Sequence, residues 1–138
     1  MPSRMQVPPN CDLTLGMTCV DKETPGRTVW RMKADERFAN PAGILQGGFL
    51  GAFADSAMGA AAVTFVEDRR VFCVNAEMKI SFLAAVPVGA DLTCTAEVVS
   101  GGRQVAFVEA SVVARDPDNG GERLVGRATS TYVFRDRD

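Results

Sequence analysis

Phe38–Val66, FANPAGILQGGFLGAFADSAMGAAAVTFV, holds a single ionisable residue, Asp55. The rest of the run is apolar, small or neutral. From Gly48 on, the pattern fits a helix that is apolar all round, and such a helix is expected to be buried on every side. Gly48, Gly51, Ala52, Asp55, Gly59 and Ala62 recur at three- and four-residue steps and share one face. The carboxylate therefore sits amid small residues, where another backbone or a ligand can come close. A carboxylate taken out of water costs free energy, so such a group is paired, protonated or functional. An Asp at the centre of a membrane span costs ~2.5–3.5 kcal/mol, which argues against a transmembrane reading. A structural Asp that caps a neighbouring element is the plainer alternative.

Working outward, residues 1–12 form a polar, proline-rich arm. Leu13–Glu23 and Arg27–Lys33 are strand-like runs around the turn Thr24-Pro25-Gly26. Arg37–Gln46 is a loop, the helix is expected over about Gly47–Val66, and Glu67–Arg70 is its charged exit. Beyond it the period falls from 3.6 to 2. Phe72, Val74, Ala76, Met78, Ile80 and Phe82 share one strand face, expected to be the core side, and Cys73, Asn75, Glu77, Lys79 and Ser81 share the other. Asp91–Ser100, Arg103–Arg115 and Glu122–Arg135 are three further strands. Pro87-Val88-Gly89, Gly101-Gly102 and Asp116–Gly121 suggest hairpins between all four. Ala106, Val108, Ala110, Val112 and Ala114 give one strand an inner row of small residues, which permits close wrapping. The expected domain, 13–138, is α+β, with a curved antiparallel sheet wrapped around one long central apolar helix.

The chain's 138 residues suffice for one core. A net charge of −2 argues against nucleic acid as the main partner. Cys11, Cys19, Cys73 and Cys94 lack CxxC spacing, and there is no histidine. Together these exclude His-dependent triads and the usual zinc sites, so no metal or cofactor is expected. Four reduced thiols suit a cytoplasmic protein. The opening MPSRMQVPPN lacks the apolar core of a signal peptide, and none is expected.

Gln46-Gly47-Gly48 begins the helix, where free N–H groups and the positive dipole end favour negative charge. This is either an oxyanion hole for a reacting carbonyl or a Gly-rich turn packed under the sheet. Gly47 and Asp55 are eight residues apart, ~12 Å along a helix. Near-attack geometry needs both within a few ångströms of one carbonyl. One helix cannot supply both, so if both act, the carboxylate comes from a second copy across a two-fold axis.

Asn40-Pro41-Ala42-Gly43-Ile44-Leu45-Gln46-Gly47-Gly48, followed by Phe53-Ala54-Asp55-Ser56-Ala57-Met58-Gly59, resembles the signature of hot-dog-fold acyl-CoA thioesterases. The phenylacetate-pathway and 4-hydroxybenzoyl-CoA branch is the nearest match. Glu77–Leu83 and the Gly101–Phe107 hairpin fall at that family's next landmarks, so the resemblance covers nearly all of the chain beyond residue 13. It implies that Asp55 is the catalytic carboxylate, as general base or nucleophile, and that Gly47 supplies the oxyanion N–H. It further implies that Asn40 orders the loop near the leaving thiol, and that Asn75 stands where relatives hold the attacking water with Ser or Thr. Gly48, Ser56 and Arg103 would bind substrate, with Arg69, Arg70 and Lys79 as further candidates for the coenzyme phosphates. Gln46 departs from the family's His; it donates a hydrogen bond but cannot titrate. The lack of His also argues against the hydratase branch of this fold. The implied substrate is an acyl-CoA thioester, and the implied assembly is a homodimer with interface sites, a dimer of dimers being left open. The alternatives are a non-catalytic acyl-CoA-binding module and a purely structural dimerisation domain.

Overall fold

The computed structural model describes residues 6–137. Of the arm expected over 1–12, residues 1–5 lie outside that range. The elements are α1 (Asn10–Leu15), β1 (Thr18–Asp21), β2 (Arg27–Lys33), a 3-10 turn (Glu36–Phe38), α2 (Gly47–Phe65), β3 (Val71–Phe82), β4 (Asp91–Gly101), β5 (Val105–Arg115) and β6 (Glu122–Asp136). The six strands form one sheet in the order β1-β2-β4-β5-β6-β3, with every neighbouring pair antiparallel. It curves around α2, which packs on β2, β3, β4, β5 and β6. This is the α+β wrap expected, with one long central helix.

Burial fixes how α2 sits. Leu50, Phe53, Ala54, Ala57, Met58, Ala61 and Ala62 are buried at three- and four-residue steps. Phe53 and Met58 are fully enclosed, and each such side chain contributes roughly 1.5–3 kcal/mol by leaving water. They meet the row Ala106, Val108, Ala110, Val112 and Ala114 on β5 and Leu92, Cys94 and Ala96 on β4, all buried. The Thr28 hydroxyl donates to the Ala57 carbonyl at 2.8 Å and ties β2 to mid-helix.

Four local expectations need correction. Asn10–Leu15 is helical, so a domain boundary at residue 12 falls inside α1 and Leu13–Leu15 are not strand. Pro9 precedes this helix, and Gly16 ends it in the left-handed region (φ 73), where its N–H reaches the Leu13 carbonyl. Secondly, α2 is not buried on every side. Ala52 is exposed, and Phe49, Asp55, Ser56, Ala60 and Val63 are half-buried.

Thirdly, the core face of β3 is not a single row. A bulge between Asn75 and Glu77 inserts an extra residue and switches the faces. Before it, Cys73 and Asn75 face α2 while Phe72 and Val74 are exposed on the outer side. After it, Met78 and Phe82 turn toward α2, lying beside Gly51 and Gly47. Lastly, β3 and β4 do not form a hairpin. The flank of β4 that a hairpin needs is taken by β2, so β3 pairs with β6 at the far edge. Residues 83–90 cross the end of the sheet. Eight residues reach at most ~26–29 Å, ample for three strand spacings of ~4.8 Å.

Candidate functional site

Asp55 projects from the middle of α2, half-buried, toward β3 and β6. Its Oδ1 accepts from the Tyr132 hydroxyl at 2.6 Å and from Asn75 Nδ2 at 2.9 Å. Asn75 Nδ2 also lies 3.2 Å from Ser130 Oγ and 3.4 Å from the Tyr132 oxygen. Asn75 is oriented by this network: with its amide turned over, its oxygen would face the carboxylate. With Nδ2 on the carboxylate, the buried Asn75 Oδ1 has no hydrogen-bond partner among the described residues. Burial, reinforced by the bond to Asp55 and by its charge, holds the Tyr132 hydroxyl far above the usual phenol range. Burial first, then the Asp55 charge, pushes the Cys73 thiol up to about 11.

The small-residue stripe is thereby explained in part. Gly51 and Gly59 let the sheet approach: a Cβ at Gly51 would meet Met78 at 3.6 Å, and one at Gly59 would meet Tyr132 at 3.6 Å and Cys73 at 3.7 Å. Gly48 and Ala52 lie instead on the open side. With Gln46, Phe49, Asp55 and Ser56 they face Cys11, Thr14 and Leu15 of α1 across a cavity of about 560 Å³. A single chain thus brings Asp55, Ser56, Gln46 and Gly48 to one cavity wall.

The start of α2 is anchored from the loop before it. Phe38 stacks on Phe49 with ring centroids 4.3 Å apart, and the Gln46 N–H donates to the Phe38 carbonyl. Asn40 organises this loop with its own side chain. Its Oδ1 accepts from the Ala42 and Ile44 N–H groups, at 2.9 and 3.3 Å, which leaves only its amide nitrogen for other work. Gln46 is the N-cap residue but makes no capping bond with its side chain. That side chain folds over Gly48, where a Cβ would lie 2.9 Å from Oε1. Gly47 lies beneath the Phe82 ring, and a Cβ there would fall 2.9 Å from it. Packing against this ring by itself favours glycine at 47.

Asn40, Gly47 and Arg103 do not line the cavity. Arg103 sits on the β4–β5 hairpin beyond the other end of α2, where its carbonyl accepts from Arg69 at 2.6 Å. Arg69 is also paired with Asp136 at 2.9 Å. Two residues of the site, Tyr132 and Ser130, were not expected from the sequence. The available signal was their place on β6, two hydroxyls at alternate positions of a row with Ala128 and Phe134 that is otherwise apolar. No cluster of metal-ligating residues occurs among the described residues.

Residues 42–120, more than half of the chain, match the sequence model of the thioesterase superfamily. Human acyl-coenzyme A thioesterase 13 is 28% identical over 98 residues, which cover 71% of this chain and 69% of that protein. A thioesterase family protein from Silicibacter pomeroyi superposes with a TM-score of 0.83 at 29% identity, covering 91% of this chain and 88% of that one. The PaaI protein of the E. coli phenylacetic acid degradation operon, at 22% identity, shares the fold with a TM-score of 0.82 over 94% of this chain and 86% of its own.

Proposed function

This chain belongs to the thioesterase superfamily and is a thioester hydrolase, and we propose that it cleaves acyl-CoA thioesters with Asp55 as the reacting carboxylate. The observation that carries this reading is the cavity wall itself. There a carboxylate anchored through one oxygen by Tyr132 and Asn75 borders open space between α1 and α2. A module that only bound an apolar acyl chain would gain nothing from that carboxylate.

In the proposed reaction Asp55 takes a proton from water, and the oxygen adds to the thioester carbonyl carbon. Asn75 contributes by anchoring that carboxylate through its amide nitrogen. Negative charge gathers on the carbonyl oxygen, held by the Gly47 and Gly48 N–H groups that begin α2. The C–S bond then breaks with its electron pair on sulfur, and the proton held by Asp55 neutralises the thiolate. Direct attack by Asp55, giving an anhydride that water opens, uses the same groups.

The proposed site joins two chains. The exposed Ala52 side of α2 and the twelve-residue edge strand β3, with Met78 and Phe82 exposed on it and Leu83 just past its end, are surfaces that a second copy would cover. A long uncovered edge strand invites pairing. Antiparallel pairing of two α2 helices would carry the Arg103 end of one chain toward the helix start of the other, where Arg103 meets the coenzyme phosphates. Asn40 and Ser56 would flank the thioester. A cytoplasmic location is part of this proposal, in keeping with the free thiols Cys11, Cys19, Cys73 and Cys94.

The test is thiol release from short, medium, long and aromatic acyl-CoAs, with Asp55→Asn as control. The substituted amide keeps an oxygen for Tyr132 and Asn75, so the variant should fold while turnover falls ~10²–10⁴-fold. Wild-type turnover in folded Asp55→Asn would sink the reading.

A further inference from the structure

We infer that Tyr132 is a positioning residue, its hydroxyl fixing one oxygen of the Asp55 carboxylate so that the other is presented to the cavity. This rests on the reading of Asp55 as the reacting group and assigns what holds it in place.

A tyrosine has one hydroxyl proton to donate. The Tyr132 oxygen lies 2.6 Å from Asp55 Oδ1 and 2.9 Å from the Asp55 backbone carbonyl. That carbonyl is already the acceptor of a helical i+4 bond, whereas the carboxylate oxygen offers the shorter, charge-assisted bond. The proton therefore goes to Oδ1. Tyr132 is only 2% exposed, so water does not compete for it. The hydroxyl stays protonated far beyond neutral pH, which keeps it a donor throughout the working range.

Asn75 Nδ2 converges on the same oxygen, while no described residue hydrogen-bonds Oδ2. Two donors on one carboxylate oxygen lock the side chain's torsion. Gly59 is part of the same device: a Cβ there would touch the Tyr132 ring at 3.6 Å, so glycine lets the ring lie close under the helix.

The other ionisable groups facing this point are few. α2 carries none besides Asp55. β3 contributes Cys73, whose thiol is held up to about 11 and stays neutral. β6 adds only the neutral Ser130 beside Tyr132. Across the cavity α1 contributes Cys11, with Asp12 next to it at 3.5 Å.

Tyr132→Phe keeps the ring and removes only the hydroxyl. The expected result is an approximately tenfold fall in kcat with KM unchanged, and an acid limb of the pH–rate profile moved up by about one unit. Added to Asp55→Asn it should cause no further loss. Unchanged kcat and acid limb in Tyr132→Phe, with Asp55→Asn inactive, would overturn the positioning role and leave the reading of Asp55 standing. An active Asp55→Asn would overturn both. The wild-type protein supplies a check that needs no Tyr132 variant to fold, because Tyr132 is the chain's single tyrosine. Its 13Cζ resonance should shift with the midpoint of the acid limb, and a resonance that ignores that titration would count equally against the inference.

Discussion

Asn75 on β3 and Asp55 on α2 meet at 2.9 Å, with the Asn75 amide donating to the carboxylate oxygen that also accepts from Tyr132. The contact exists because the bulge after Asn75 ends the segment whose alternate residues, Cys73 and Asn75, face the helix. One residue further along, the polar positions of β3 turn outward.

Asn75→Asp should test that contact most severely, because it replaces a donor with a like charge. Repulsion makes one of the two carboxyls harder to ionise. The acid limb of the pH–rate profile should move upward and activity at neutral pH should fall about 10–100-fold. Loss of the bond to a charged group should cost ~1–3 kcal/mol in denaturant unfolding. A wild-type profile and midpoint would reduce Asn75 to an ordinary strand residue.

Gln46→His should fold normally, since Gln46 is exposed and its side chain caps nothing. With Gln46 only orienting substrate, the variant should keep or raise activity and gain a pH dependence near the imidazole pKa of ~6.5. Thermal melting and a pH–rate profile decide it. A collapse in stability would identify Gln46 as a packing residue instead.

The shared site predicts complementation between two inactive proteins. Gly48→Val suits the helix-start lesion better than a change at Gly47, because a Cβ at 48 meets only the flexible end of Gln46 whereas one at 47 meets the Phe82 ring. Heterodimers of Gly48→Val with Asp55→Ala should hold one site with both lesions and one with neither. They should regain about half of a wild-type dimer's activity. A mixture verified as heterodimeric but inactive, with both variants folded, would show that each chain carries its own complete site.

The thiols should fall into two kinetic classes. Burial pushes Cys94 up to about 12, and burial with the Asp55 charge pushes Cys73 up to about 11, whereas Cys11 and Cys19 are exposed. Reaction goes through the thiolate, so a disulfide reagent at neutral pH should modify Cys11 and Cys19 quickly and the other two only on unfolding. Mass spectrometry of the labelled peptides would check it. Rapid labelling of Cys94 in the folded protein would contradict its burial under α2.

Sequence periodicity by itself determined the helix, the strand segments and the oddness of Asp55. Those features rest on local chemistry: a 19-residue run with one charge, and alternation at a period of two. Gly16 and Pro9 marked α1 just as locally, yet its six residues offer too little periodicity to outweigh a strand-like pattern. Tertiary structure alone decided which side of β3 faces the helix, because one inserted residue in a bulge inverts every position beyond it and leaves no mark in the alternation. It alone placed β3 beside β6, since β2, whose Lys33 pairs with Asp91 58 residues downstream, takes the free edge of β4 only once the sheet is assembled.

 The pairing of Lys33 with Asp91 closes those 58 residues of chain, and no local pattern encodes a contact at that range. The same holds for Tyr132 and Asp55, which are 77 residues apart: each looks ordinary on its own element, and only the curvature of the sheet around α2 brings hydroxyl and carboxylate together.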